Sequence, residues 1–370
     1  MKKVLIVDNS LDTTGAFNAI TSSCNDLKDY AYFTFVIPNR SRNHVILKEL
    51  GYKCYKLDFV ELSRRPFDLV RYFPKLILNG YRLSKLIKSQ KIDIVHINDI
   101  YNLVGISAKL FKKFKLITHV RRMPDSFPIR IYKFWVFLHS RFSDYLVPVS
   151  NANKKIFEAC HNLTVIYDNL PEKEQYEEYF PKNNEIIKVL YLANYNLGKG
   201  QNYAIEAFKE FKLKNPHVKI KLELVGGDFG IKKNNRYKSL LVDIVNRYKL
   251  CDSVAFKDKT DDVEKNMKEF DIILNFSDSE SFSRVNLEAL YYGIPLIATD
   301  VGGTAEMFEN NKSGLLVEKG DIKQMSTALE NLVHNFDFRV TISKNSKVYV
   351  REKFNINKTS LELKKVYHGF

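Results

Sequence analysis

Residues 272–317 read IILNFSDSESFSRVNLEALYYGIPLIATDVGGTAEMFENNKSGLLV, and the fold turns on this stretch. The apolar run 272–276 has the length and branching of a strand, and a Ser/Asp-rich turn bounds it. A helix is predicted from about Ser283 to Tyr292. Gly293 suits the left-handed position just past a helix end, and Pro295 follows where a helix cannot continue. PLIAT (295–299) and GLLV (314–317) are apolar throughout, as strands covered on both faces are. Strand, turn, helix and strand make a parallel α/β unit. Ser281, Phe282 and Ser283 then lie at a helix N-terminus, where unpaired N–H groups and the positive dipole end favour an anion such as a diphosphate. Glu280 precedes that helix at the strand's carboxyl end. Glu288 follows about two helical turns later, so the two carboxylates meet different parts of one elongated ligand.

The same alternation extends outward. Upstream lie IIKVLYLA (186–193), a helix over 201–213, KIKLELVGG (219–227), a helix near 236–249 and SVAF (253–256). The front of the chain repeats the pattern: VLIVD (4–8), a helix from about Ala16, YFTFVIP (32–38), a helical stretch 42–50, CYKLDF (54–59) and a long amphipathic helix 67–89. IDIVHIN (92–98), KLITHV (115–120) and YLVPVS (145–150) follow, with a helix between the first two. Between the halves, residues 168–185 are acidic, hold two prolines and lack apolar periodicity, as a linker does. The expected organisation is an N-terminal domain over 1–168, a linker over 169–185, a second domain over 186–350 and a closing helix over 351–370 that packs back on the first domain. Two doubly wound domains of this kind are expected to face a central cleft at the carboxyl ends of their strands.

Bulk properties narrow the function classes. The four cysteines, Cys24, Cys54, Cys160 and Cys251, are scattered, which argues against a disulfide framework or a structural zinc site. Asp8 interrupts the apolar run of MKKVLIVDNS after four residues, too soon for a signal peptide, and no apolar run is long enough for a membrane span. A cytoplasmic protein is expected. Residues 1–170 hold 27 Lys+Arg against 14 Asp+Glu, whereas residues 171–370 hold 31 against 29, so nearly all of the +15 net charge lies in the first half. Segment 109–141 alone carries nine Lys+Arg and one Asp among many aromatics. It reads either as a solvated helix face or as a surface for the anionic inner face of the cell membrane. No nucleic-acid-binding module is visible.

The two glutamates and their surroundings resemble the E-x7-E signature of family 4 glycosyltransferases, retaining enzymes of the GT-B fold. Gly302, Gly303 and Glu306 match that family's GG-x-x-E stretch, and SGLLVEKGD (313–321) its usual sequel. VLYLANYNLGKGQNYAIEAF (189–208) looks like its strand, phosphate loop and helix, with Lys199-Gly200 in register. DTTGAF (12–17) stands in place of its glycine-rich donor loop. The likeness is strong in the second half and weak in the first. It implies that Glu288 holds ribose hydroxyls, that Lys199 binds the diphosphate, and that Glu280 contacts the donor sugar beside the reacting carbon. Main-chain N–H groups of Ser281, Phe282, Ser283, Arg284, Val285 and Asn286 would bind sugar and phosphate oxygens, with Gly15 approaching the donor from the other domain. No cofactor or metal is implied, and no D-x-D motif is present.

Two departures bear on the donor site. Asn194 stands where the family carries an arginine five positions before the lysine, and a neutral amide is no substitute for a cationic fork on phosphate. Arg284 is a neighbouring cation that could compensate. Glycine is also absent on both sides of Phe282. In the first domain, His119 ends an apolar strand and is either a packed core histidine or a polar group at the cleft floor, contacting sugar or acceptor. His96, inside a strand, reads as structural. Asn98, Asp99 and Arg121 are the remaining acceptor-site candidates. The expected activity is metal-independent, retaining transfer of a sugar from a nucleotide-diphosphate sugar to a glycan acceptor, lipid-linked or membrane-proximal, in cell-surface polysaccharide or glycolipid synthesis. The rivals are a nucleotide-sugar epimerase of similar fold and a non-catalytic partner subunit, which Asn194 keeps open.

Overall fold

The computed structural model describes all residues except 60–65, 158, 159, 161, 171–178, 260–262 and 370. The chain forms two units, Met1–Pro171 with Ile356–Phe370, and Glu172–Asn355. The second unit therefore reaches past the expected edge at 350. The segment expected as a linker lies in part outside the described residues. Of the rest, Tyr179 is buried on the second unit, where its carbonyl accepts a 2.6 Å hydrogen bond from Lys347 Nζ.

The first unit is built on strands β1 (Lys2–Val7), β2 (Ala31–Pro38), β3 (Lys53–Leu57), β4 (Ile94–Ile97), β5 (Lys115–Val120) and β6 (Tyr145–Pro148). Its helices are α1 (Gly15–Asp26), α2 (His44–Glu49), α3 (Pro66–Gln90), α4 (Val104–Ala108), α5 (Ile129–Phe142) and α6 (Asn151–Lys154). All strand pairs are parallel, in the order β3-β2-β1-β4-β5-β6. Val4 to Val7 of β1 are fully buried, each gaining roughly 1.5–3 kcal/mol from leaving water. The two-residue period divides them. Val4 and Ile6 pack with Phe17 and Ile20 of α1, while Leu5 and Val7 pack with Leu83 and Ile87 of α3. This burial on both faces is why the strands read as unbroken apolar runs.

The second unit comprises β7 (Ile187–Leu192), β8 (Ile220–Val225), β9 (Val254–Lys257), β10 (Ile272–Asn275), β11 (Leu296–Thr299) and β12 (Leu315–Val317). Its helices are α7 (Gln201–Lys214), α8 (Lys232–Arg247), α9 (Val263–Lys268), α10 (Arg284–Tyr292), α11 (Ile322–His334) and α12 (Phe336–Lys353). The order β12-β11-β10-β7-β8-β9 is the same topology again. In both units the winding reverses between the first and fourth strands, β1/β4 and β7/β10. Such switch points open a crevice at the strands' carboxyl ends, where ligands of open α/β sheets bind. The final helix, α13 (Ile356–His368), belongs to the first unit and buries Leu363, Val366 and Tyr367 in the core beside β1.

Candidate active site

At the β7/β10 switch point the backbone is locked before any charged group is placed. Gly198 and Gly200 adopt left-handed φ values of 91° and 74°, and a Cβ on Gly200 would stand 1.9 Å from the Phe276 carbonyl oxygen. Only glycine fits there. The buried Tyr191 hydroxyl donates to the Lys199 carbonyl at 2.5 Å and accepts from the Phe276 amide at 2.7 Å. The Asp278 amide donates to the Gly198 carbonyl at 2.8 Å. These bonds clasp the loop after β7 against the turn after β10. The consequence is that Lys199 Nζ lies 2.6 Å from Glu280 Oε1, the lysine side chain 37% exposed and the glutamate 14%. The Glu280 carbonyl is itself fixed by the Gly303 amide at 2.9 Å, joining the GG-x-x-E turn to the site.

The helix after this turn begins as its sequence dictates. Ser283 is the N-cap of α10, its hydroxyl accepting from the Asn286 amide at 3.3 Å. Asn275 Nδ2 braces the cap, donating to Ser283 Oγ at 3.0 Å and Asn286 Oδ1 at 2.7 Å. The cap occupies the Asn286 amide, while the Val285 amide has no acceptor among the described residues. Ser281 is buried, and the Phe282 ring packs edge-on against Phe354 at 5.2 Å, so residue 282 offers a ligand its backbone rather than its ring. Glu288 Oε1 accepts from Arg284 Nε at 3.2 Å within the helix, both side chains mostly buried. Arg284 is thus paired within its own helix. Asn194 Oδ1 accepts from the Gly227 amide at 3.3 Å.

The β1/β4 switch point of the first unit holds a second polar network. Asn98 Nδ2 donates to Asp8 Oδ2 at 2.6 Å and to the Ala16 carbonyl at 3.1 Å, tying the first turn of α1, where Gly15 sits, to the end of β4. Asn98 Oδ1 accepts from Arg121 Nε at 2.9 Å. Arg121 Nη1 contacts both Asp168 oxygens, at 2.6 and 2.8 Å. Asp99 Oδ1 accepts from the Ile100 and Arg121 amides, and its other oxygen lies 3.5 Å from Arg122 Nε. Burial raises the Asp99 pKa to about 6, with Arg122 opposing the shift. His119 Nδ1 is bonded to His96 Nε2 at 2.8 Å, and burial holds both imidazoles neutral. Both amide hydrogens of Asn98, and Nε and Nη1 of Arg121, are thus engaged inside the unit.

Several contributors were missed in the sequence: Tyr191, Asn275, Asp8, Asp168 and the Lys319–Asp278 pair at 3.4 Å. For Asp8 the one signal was a carboxylate closing an otherwise apolar strand, whereas Tyr191 lies inside β7 and carried none. Asp168 carried none, standing 47 residues from Arg121.

Residues 172–349 match the family described as Glycosyl transferases group 1. N-acetyl-alpha-D-glucosaminyl L-malate synthase of Bacillus anthracis is 22% identical over 353 residues, covering 88% of each protein. The capsular polysaccharide biosynthesis glycosyltransferase CapM of Staphylococcus aureus is 34% identical over 91 residues, 25% of this chain and 24% of CapM. The crystal structure of Anabaena HepE in complex with UDP and glucose superposes along the full length of both chains, with a TM-score of 0.83 and 18% identity. The fold is therefore GT-B. The family match fills the unit that carries Lys199, Glu280 and Glu288, so that unit is a domain of the glycosyl transferases group 1 family, glycosyltransferases that use nucleotide-sugar donors.

Proposed function

We propose that this chain transfers a sugar from a nucleotide-diphosphate sugar to a glycan acceptor, with retention of anomeric configuration and without a metal ion. The observation that carries the reading is the 2.6 Å Lys199–Glu280 pair held at a switch point beside the N-terminus of α10. The nucleoside diphosphate is the leaving group, and negative charge grows on its β-phosphate as the bond from that phosphate to the anomeric carbon breaks. Lys199 supplies a cation to it, and the dipole end of α10 with the Val285 amide supplies aligned donors. Together they neutralise the charge that Mg²⁺ neutralises in other sites. Glu280 engages the sugar hydroxyls next to the reacting carbon, and Glu288 the ribose diol. UDP is the first nucleotide to test, because HepE binds it on the same fold.

The acceptor belongs to the first unit, with His119 at the end of β5 contacting sugar or acceptor. Its lipid-linked or membrane-proximal character is supported by a surface of exposed apolar side chains among cations. Val70, Phe73, Ile77 and Tyr81 form one exposed stripe of α3, and Tyr81 meets Phe111 edge-on at 5.5 Å. On α5, exposed Phe134 and Phe137 stand with Arg130, Lys133 and Arg141. This surface would hold the protein to a bilayer from the cytoplasmic side. No helix among the described residues is long and apolar enough to cross a membrane. CapM's role in capsule synthesis accords with a cell-surface polysaccharide product.

A thermal-shift and hydrolysis screen across UDP-, GDP- and ADP-sugars tests the reading, since a ligand that binds the folded state raises its melting temperature. One nucleotide series should stabilise the protein and be hydrolysed slowly. Glu280→Ala and Glu288→Ala should each abolish transfer with the fold retained, and wild-type rates in both would overturn the assignment. Turnover of donor with no acceptor to an epimeric nucleotide sugar would select an epimerase. Stabilisation without turnover would select a non-catalytic subunit.

A further inference from the structure

Three aromatic side chains form a buried hydrogen-bonded file through the first unit. The Tyr367 hydroxyl, on α13, lies 2.7 Å from His96 Nδ1, on β4. His96 Nε2 lies 2.8 Å from His119 Nδ1, on β5, the two ring planes within 20° of each other. Tyr367 and His96 are fully buried and His119 is 3% exposed. His119 is bonded in the file through Nδ1, which leaves Nε2 as the far end of the file.

The direction of the protons follows from counting donors. Burial keeps the phenol protonated and both imidazoles neutral, so each group carries one hydrogen for this file. Among the described residues the phenol hydrogen has one acceptor, His96 Nδ1, and a buried hydroxyl left without an acceptor is strongly disfavoured. His96 therefore carries its hydrogen on Nε2 and donates it to His119 Nδ1. His119 in turn carries its hydrogen on Nε2. The reverse polarity would need the phenol to accept from His96 and leave its own hydrogen unpaired.

We propose that Tyr367 and His96 are positioning residues that fix His119 as the Nε2–H tautomer, so that it presents a hydrogen-bond donor to a substrate oxygen, a sugar hydroxyl or a phosphate oxygen. This rests on the reading of His119 as a substrate contact. The last helix of the chain, α13, thereby acquires a chemical role beyond packing, since it sets which ring nitrogen of a β5 histidine bears the proton.

The tautomer can be read in the free protein, apart from activity. In [¹⁵N]histidine-labelled protein, with the His119 signals among the eight histidines assigned by loss in His119→Gln, Nδ1 should be the unprotonated nitrogen. In Tyr367→Phe, which keeps the ring and removes the hydroxyl, His119 should become a mixture of tautomers. Its kcat/KM should fall about tenfold, the worth of one hydrogen bond. His96→Gln places an amide donor where Nε2 stands and needs no phenol, so Tyr367→Phe/His96→Gln should recover the Nε2–H form and the rate. An Nδ1–H tautomer in the wild type, or an unchanged tautomer in Tyr367→Phe, would overturn the proposal even if the rate fell. A shifted tautomer with an unchanged rate would overturn the substrate contact. Failure to turn over any nucleotide sugar would strike the proposed transfer reaction and leave the tautomer reading standing.

Discussion

In the ligand-free protein Lys199 is neutralised by Glu280, so the two residues of one ion pair should affect nucleotide binding in opposite directions. Replacing Lys199 with Met keeps the stem and deletes the charge. A hydrogen bond to a charged partner contributes about 1.5–3 kcal/mol, so the dissociation constant for UDP should rise about 10- to 150-fold. Replacing Glu280 with Gln frees the lysine. The pair is more than a third exposed on the lysine side, which places its worth at about 0.2–1 kcal/mol. Removing a carboxylate beside an incoming diphosphate acts in the same direction. UDP should therefore bind Glu280→Gln up to about fivefold more tightly than the wild type, while transfer from the sugar donor is lost. Isothermal titration calorimetry with UDP at low salt gives all three constants. The expected order, tightest first, is Glu280→Gln, wild type, Lys199→Met. Weaker binding by Glu280→Gln, by as much as Lys199→Met shows, would refute the assignment of the lysine to phosphate and the glutamate to sugar.

Gly200→Ala forces a Cβ to 1.9 Å from a backbone carbonyl at a left-handed φ, and should destabilise the second unit by at least about 2 kcal/mol. A calorimetric melting temperature within a degree of wild type would contradict this. His96 and His139 are buried with pKa values lowered to about 3 and about 4, both by burial. The unfolded chain binds their protons first, so their stabilisation is complete above pH 6.5 and is lost as the pH falls toward those values, roughly 2 kcal/mol each by pH 5. Asp99, raised to about 6, acts oppositely over the same window and returns roughly 1 kcal/mol. Urea unfolding at pH 7 and 5 should show the first unit losing stability in acid, and a flat profile would show the histidines to be hydrated. Phe134→Ser/Phe137→Ser should weaken binding to anionic vesicles at least tenfold, and wild-type binding should fall with added salt. Equal recovery on neutral and anionic vesicles would remove the membrane surface.

The frame was legible because both sheets are parallel and covered on both faces. That burial makes β1 and β10 plain apolar runs, and it places Glu280 and Lys199 at strand ends by chain order alone. Ser283, Gly293 and the helix between them could be read from capping chemistry, a local property. What escaped is the chemistry between distant segments. Tyr191 reads as one more apolar strand residue until the switch point sets β7 beside β10. His96 is 271 residues from Tyr367, and only the return of α13 to the first unit makes them partners. Arg284 and Glu288 are the exception, since their i, i+4 spacing on one helix makes the pair legible from the sequence.

The central claim is that a nucleotide diphosphate rests on the first turn of α10, and a co-crystal structure with UDP tests it most directly. The account predicts a β-phosphate oxygen within hydrogen-bonding distance of Lys199 Nζ and the Val285 amide, with the ribose diol on Glu288. Nucleotide bound elsewhere, with the Lys199–Glu280 pair undisturbed, would contradict it.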